Sequence, residues 1–296
     1  MRSEPTSRRK TPPADRGRIQ GLSAATFSLV RALPHLFARR PGTPLRVLCV
    51  IAFDTVHRLR YGRGLSSVRV RGMATLLDYG ALVNALLDNK AVRPGAMESA
   101  RQEADLLGMK VLAGEYRRRL TELEQHRPAP GGGIPRFHQV RIYRESVASL
   151  SLRILAAAAL YRPVPASAAH AVDAEHDLEM LFRIVMQCQI LDDLIDYAKD
   201  QCAGLPSFLT ATSSLGEALE LTDVAAKHYA GHGDRLRRCD FLPLRLALAA
   251  LTALVNLSIR LCRWRDRLLG AIAAGIRPTR SPGADNQPGD STRSQS

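Results

Sequence analysis

A cluster of aspartates constrains the fold of this chain more than any other feature of its sequence. Within nine residues of an otherwise apolar segment there are four carboxylates: Asp192, Asp193, Asp196 and Asp200. On an α-helix, positions 192, 196 and 200 fall within about 80° of one face, each about 6 Å further along the axis. Like charges at this spacing repel each other and destabilise an isolated helix. The pattern therefore favours a helix that is packed inside a protein and offers its carboxylates to a cation.

The apolar residues that precede the aspartates continue the same stripe at helical spacing. They are Leu178, Leu181, Phe182, Val185 and, as the one polar member, Gln189. The carboxylates then lie on the face that must turn inward, which costs free energy unless a metal ion or cations compensate. Hard oxygen ligands at this spacing suit Mg²⁺, which often bridges carboxylates to a phosphate. We therefore predict a metal–diphosphate site; a solvated helix end partly neutralised by Lys199 is the alternative.

The rest of the chain indicates a single all-α bundle. Hydrophobic residues make up 46% and aromatic residues only 5%, and the dominance of Ala and Leu favours helices over sheets. Proline and glycine signals divide the chain into about eight helices, with no convincing strand pattern. The helices are predicted at about 22–39, 44–60, 70–90, 96–126, 138–161, 168–202, 215–232 and 242–275. Residues 21–276 are predicted to form one domain between a disordered basic tail (1–20) and a second disordered tail (277–296).

Charge and cysteine content bound the partners and the compartment. The net charge of +14 suits an anionic partner such as nucleic acid, an acidic membrane surface or a phosphorylated substrate, although solvated tails account for part of it. The five scattered cysteines form no CxxC pair, so neither a zinc site nor a disulfide framework is indicated. No signal peptide is expected, and the uncharged run from Leu246 to Ile259 is shorter than the roughly 20 residues of a transmembrane helix. We expect a cytoplasmic protein and leave peripheral contact with a membrane open.

The aspartate segment resembles a known family. Its residues read Gln187-Cys188-Gln189-Ile190-Leu191-Asp192-Asp193-Leu194-Ile195-Asp196. They resemble the second aspartate-rich motif of class I isoprenoid synthases, most of all that of trans-polyprenyl diphosphate synthases (roughly Gln-Ile-x-Asp-Asp-x-x-Asp). The segment Gly204-Leu205-Pro206-Ser207-Phe208-Leu209 is similar to a stretch that follows in squalene/phytoene synthase-like proteins and bacterial terpene synthases. The strong resemblance is confined to 187–209.

The resemblance implies a second acidic cluster on a facing helix. The predicted helix 70–90 offers Asn84 and Asp88 on one stripe, a reduced form of the family's first motif with Asn84 where an Asp is usual. An Asn supplies a neutral oxygen ligand, so it would bind a metal more weakly. Gly80 and Ala81, one turn earlier, are expected to leave room for an isoprenoid chain, and the Ala/Leu-rich residues 152–160 to line an apolar cavity. The alternative is an ordinary amphipathic helix with an Asn near its C-terminus and a surface Asp.

By resemblance, this would be a Mg²⁺-dependent enzyme that ionises an allylic prenyl diphosphate. Another isoprenoid (prenyl transfer) or an internal double bond (cyclisation) would capture the cation. Two or three Mg²⁺ ions would be held by Asp192, Asp196 and Asp200, with Asn84 and Asp88 opposite. Asp192, Asp196 and Asp88 are the expected catalytic residues.

Diphosphate ionisation also needs positive charge near the leaving group. On the fifth predicted helix, Arg144 and Tyr143 are the candidates for substrate contact; Arg141 is nearly as good, and a solvated face is the alternative. The other expected substrate contacts are Lys199, Gln189 and Asp193, the last about 100° away from Asp192 and so in a supporting position. Four arginines near the C-terminus would cap the pocket over the diphosphate, form an exposed basic helix face or contact a membrane surface: Arg260, Arg263, Arg265 and Arg267.

Two other classes of function stay open. A catalytically impaired relative that binds prenyl diphosphate or a partner subunit is supported by Asn84. A basic helical nucleic-acid-binding protein is suggested by the charge alone, and without a recognition motif we expect no nucleic acid partner. A homodimer is compatible with both the enzyme and the catalytically impaired relative.

Overall fold

The computed structural model describes residues 22–30, 43–88, 90–159, 168–231 and 242–275. Within these ranges the chain forms nine helices and no strand, which confirms the all-α prediction. They are α1 (helical residues 22–30), α2 (Thr43–Tyr61), α3 (Ser67–Leu87), α4 (Ala96–Leu106), α5 (Lys110–Glu124), α6 (Gly133–Ala158), α7 (Ala168–Ala203), α8 (Leu215–Ala230) and α9 (Leu242–Gly275). The predicted tails 1–20 and 277–296 lie outside the described residues.

The helix predicted over 96–126 is divided into α4 and α5. Gly108 adopts a φ of +72°, the left-handed conformation that glycine adopts without steric cost. The Met109 N–H donates to the Ala104 carbonyl (2.7 Å) and the Gly108 N–H to the Asp105 carbonyl (3.0 Å), which is a Schellman motif. The turn at Gly108 and Met109 packs against Gly72 on α3. The missing side chain at position 72 makes room for Met109, because a Cβ there would lie 2.7 Å from the Met109 methyl carbon. A glycine within a helical pattern thus ends one helix here.

Helix α7 joins the two halves of the hydrophobic core. Met180, Leu181 and Ile184 of its first half belong to the hydrophobic cluster that α2 to α6 and the start of α9 also form. Its second half packs with α6, α8 and α9 through Met186, Ile190 and Leu194. Because several helices surround α7, more than one of its faces is buried, and periodicity alone could not predict which residues point inward.

The buried face of α7 therefore differs from the predicted stripe. Asp193 is only 2% exposed and Asp200 is also buried, whereas Asp192 is exposed and Asp196 half-buried. The four aspartates therefore do not share one inward face: Asp193 and Asp200 are buried, and Asp192 and Asp196 are not.

Polar contacts fix α7 against its neighbours. Arg60 on α2 forms a bidentate pair with buried Asp177, with donor–acceptor distances of 2.8 and 2.6 Å. Charge-assisted bidentate pairs are strong and directional. The Gln187 amide donates to the Ala226 carbonyl of α8 at 2.8 Å. These contacts hold the helix that carries the aspartates in one orientation.

Candidate active site

A cavity of about 220 Å³ lies between α3, the C-terminal end of α5, α6, α7 and the loop that follows α7. Residues from all of these elements line it. The ten residues that the sequence selected as site residues are all among them: Asn84, Asp88, Tyr143, Arg144, Gln189, Asp192, Asp193, Asp196, Lys199 and Asp200. The structure thus brings the two acidic segments to one cavity.

This cavity concentrates acidic side chains in a strongly basic protein. Six carboxylates and four cations line it, which gives a formal charge of −2 where the whole chain carries +14. Lys90 and Arg127 donate to Asp88 at 2.6 and 2.8 Å, and Lys199 donates to Asp196 at 2.7 Å. Burial alone would raise the pKa of Asp88, but Lys90 and Arg127 outweigh it and hold that pKa below its usual range. Lysine and arginine side chains of the protein therefore already neutralise some of the carboxylates that line the cavity.

Asp193 positions Arg144 rather than facing the cavity freely. Arg144 donates to its Oδ1 at 2.9 Å, and the Phe208 N–H donates to its Oδ2 at 2.7 Å. Burial raises the pKa of Asp193 to about 6, although Arg144 and the Phe208 N–H both act to lower it. Both oxygens of Asp193 are therefore engaged by the protein, in keeping with the supporting position expected for it.

The loop after α7 closes one side of the cavity. Gly204 has a φ of +63°, and the Leu205 N–H returns to the Asp200 carbonyl at 2.9 Å. Phe208 is fully buried with its ring centroid 5.7 Å from that of Phe137 on α6. The segment 204–209 thus folds back against the C-terminal part of α7, where its Phe208 N–H contacts Asp193.

Two buried polar atoms of cavity-lining residues lack partners among the residues that the structure describes. They are Oε1 of Gln189, an acceptor, and Nε of Arg144, a donor. Each unsatisfied buried group costs about 1–3 kcal/mol. A cation would satisfy the oxygen and an anion the N–H group. One cavity that lacks both kinds of partner fits a metal–phosphate pair.

The donor set also fits Mg²⁺ by its chemistry. Within the described ranges, no three Asp, Glu, His or Cys side chains converge on one metal-sized point. Mg²⁺ is commonly held by one or two carboxylates together with waters and substrate phosphates. Asp192 and Asp200, which form no ion pair with any described residue, are the least committed carboxylates.

Three charged residues of the cavity were missed from the sequence: Lys90, Glu124 and Arg127. Arg127 bridges Glu124 (3.1 Å) and Asp88, and the Tyr143 hydroxyl donates to Glu124. Burial, followed by this hydrogen bond, raises the pKa of Tyr143, so it stays protonated. These three residues come together at the cavity because α5 packs between α3 and α6. No sequence motif predicted that packing.

No family model matches this chain. No curated protein and no solved structure matches it either.

The space expected beside Gly80 is filled. A Cβ on Gly80 would lie 3.2 Å from the ring of Tyr116 on α5. Gly80 therefore admits an aromatic ring of α5 and leaves no room there for a prenyl chain. The described residues of the 152–160 segment do not line this cavity. Most of them, such as Leu152 and Leu155, pack in the core, and Arg153 and Ile154 line a separate pocket between α5, α6 and α7. The expectation of free space beside Gly80 was wrong, because the missing side chain there allows α3 and α5 to pack closely.

Arg141 and the four C-terminal arginines lie outside the cavity. Arg141 donates to Glu145 at 2.9 Å and to Tyr229 at 3.1 Å. Arg263 donates to the Leu219 carbonyl of α8 at 3.2 Å. None of the four C-terminal arginines lines the cavity, so they do not cap it; all but Arg263 are exposed on α9.

Proposed function

We propose that this chain is a Mg²⁺-dependent class I isoprenoid synthase whose cavity binds the diphosphate of an allylic prenyl diphosphate. One observation carries the proposal. Asn84 and Asp88 on α3 line the same cavity as Asp192 and Asp196 on α7, although the two pairs lie far apart in the sequence.

The carboxylates and the cations of the cavity have separate roles in this proposal. Asp192, Asp196 and Asp200 would hold Mg²⁺ from α7, and Asn84 and Asp88 from α3. Bound Mg²⁺ would supply Lewis-acid stabilisation of the negative charge on the departing diphosphate.

The cavity cations would receive the phosphate oxygens. Arg144 has an unsatisfied Nε, and Asp193 holds its guanidinium in place. Lys199 and Lys90 are ion-paired with Asp196 and Asp88, so a metal on those carboxylates would free both ammonium groups for phosphate. In the reaction, the carbon–oxygen bond to the diphosphate breaks. A second isoprenoid or an internal double bond then captures the allylic cation, with loss of a proton.

The test is Mg²⁺-dependent release of diphosphate from geranyl, farnesyl and geranylgeranyl diphosphate. We expect Asp196→Asn to reduce the rate at least a hundredfold, about the effect of losing a group that stabilises transition-state charge. Asp223→Asn is the matched control, because Asp223 also pairs with a lysine of the next turn (Lys227, 2.9 Å) but lies on α8 outside the cavity. Prenyl diphosphate binding without turnover, unaffected by Asp192→Ala, would contradict the enzyme.

A second candidate is a protein that binds prenyl diphosphate without turning it over. It is favoured by the cavity itself, which is small and whose apolar lining consists of Val147, Leu205 and Pro206. Asn84, moreover, lies beside the Tyr116 hydroxyl and acts to lower its pKa, which burial raises. This candidate predicts Mg²⁺-dependent binding of inorganic diphosphate as tight as that of farnesyl diphosphate, whereas the enzyme requires the prenyl chain to add affinity.

A further inference from the structure

The outer face of α9 exposes a continuous row of large apolar side chains. The row consists of Leu246, Leu254, Leu257, Leu261, Trp264 and Leu268, of which Trp264 is 63% exposed. At about 100° per residue these six positions fall within about 80° of one face and extend about 33 Å along the axis. Large contiguous apolar patches on a protein surface mark interaction sites.

The opposite face of α9 is anchored in the protein. Leu244, Leu248, Val255 and Ile259 are buried against α7 and α8. By length and composition alone, Leu242–Leu268 is the one described helix apolar enough to cross a membrane, with a mean hydropathy of 1.7, yet only 22% of its most apolar window is buried. Because one face belongs to the core, the helix can present the other face to a membrane only by lying along its surface.

Charge identifies what covers this face. Arg260 and Arg267 lie along one edge of the apolar row and Arg265 along the other, all three exposed, with Asp266 as the one acidic residue between 242 and 275. A second copy of α9 in either direction would bring arginines without carboxylates to meet them. Anionic lipid headgroups complement all three, and a Trp at the apolar–polar boundary is typical of interfacial helices.

We propose that the outer face of α9 docks the protein on the surface of a bilayer that contains anionic phospholipid. The leucines enter the boundary between headgroups and acyl chains, and the flanking arginines contact lipid phosphates. This inference is independent of the activity proposed above.

The chain carries its own probe for this test, because Trp264 is its single tryptophan. The full-length protein is mixed with vesicles of phosphatidylcholine alone or with phosphatidylglycerol added. We expect flotation with the anionic vesicles and a blue shift of the Trp264 emission as it leaves water. Added salt should weaken the binding. An unchanged emission and no flotation with anionic vesicles would overturn the proposal.

Variants separate the lipid surface from other occupants. Each of Leu257→Gln and Leu261→Gln should weaken vesicle binding about tenfold or more, the value of burying a leucine. Replacement of Arg260, Arg265 and Arg267 by Gln should weaken it roughly fivefold for each charge removed. Leu106→Gln with Val111→Gln is the control, since these side chains are 88% and 80% exposed on α4 and α5. A dimer without lipid that is abolished by Leu257→Gln would assign the face to a second copy and overturn the proposal.

Discussion

Replacement of Asp193 by Asn should stabilise the protein at neutral pH. Asp193 is buried, and its pKa rises from an ordinary 3.8 to about 6. That difference corresponds to about 3 kcal/mol of folding free energy. Because the folded protein binds this proton more tightly than the unfolded chain does, stability falls as pH rises from about 4 to about 6. Asn is neutral at every pH, so it removes this pH dependence. Its side chain has only one acceptor oxygen, so it keeps one of the two hydrogen bonds from Arg144 and the Phe208 N–H and loses the other, a pH-independent cost of about 1 kcal/mol.

The assay is urea unfolding followed by circular dichroism from pH 4 to 7.5, in EDTA so that no metal contributes. Relative to the native protein, Asp193→Asn should gain about 3 kcal/mol between pH 4 and pH 7.5, from about 1 kcal/mol less stable near pH 4 to about 2 kcal/mol more stable above pH 7. Asp266→Asn, an exposed carboxylate on α9, should stay within about 0.5 kcal/mol of the native protein throughout. An Asn variant that is no more stable at pH 7.5, or that keeps the native pH dependence, would refute the reasoning. A residue that weakens the fold at neutral pH is expected at a functional site.

Three further predictions test the packing of the helices and loops. Arg144→Met should cost about 3–5 kcal/mol at pH 8, because it leaves a buried carboxylate unpaired, and Asp193→Asn in the same chain should restore most of the loss; additive effects in this double-mutant cycle would contradict the pairing. Phe208→Ala should cost about 3–5 kcal/mol in urea unfolding, since the ring is fully buried against Phe137, and a loss below about 1 kcal/mol would show that the loop is not docked. Gly108→Ala should lower stability by about 1–2 kcal/mol because of its left-handed φ, whereas Gly114→Ala inside α5, with open space around it, should raise it by about 0.5–1 kcal/mol; equal effects would mean that the chain does not turn at Gly108.

Most of the fold followed from local signals in the sequence. Proline and glycine clusters placed the ends of α2, α7, α8 and α9 within a few residues, because these residues disfavour helix wherever they stand. The division at Gly108 was missed because a lone glycine within a helical pattern ends a helix only where the tertiary structure turns there. The Schellman motif that makes this turn is a property of the folded chain.

The site was predictable as a set of residues but not as a set of contacts. Spacing along α3 and α7 selected residues that do line one cavity. Periodicity could not predict which of the aspartates are buried, because packing on several sides of α7 removes the contrast between its faces. Arg127 and Glu124 could not be found because they reach the cavity only through the packing of α5.

The loop after α7 also links the cavity to a distant part of the backbone. The Phe208 N–H donates a hydrogen bond to Asp193. Two residues later, the Thr210 carbonyl accepts a hydrogen bond of 2.7 Å from the N–H of Gly131, which lies just before α6. Backbone amides held in this way exchange with solvent only when the local structure opens. Any ion or proton that changes the charge at Asp193 should therefore alter the exchange rates of the Phe208 and Gly131 amides together. Hydrogen exchange at two loop amides would then report the state of the cavity without a substrate or a product.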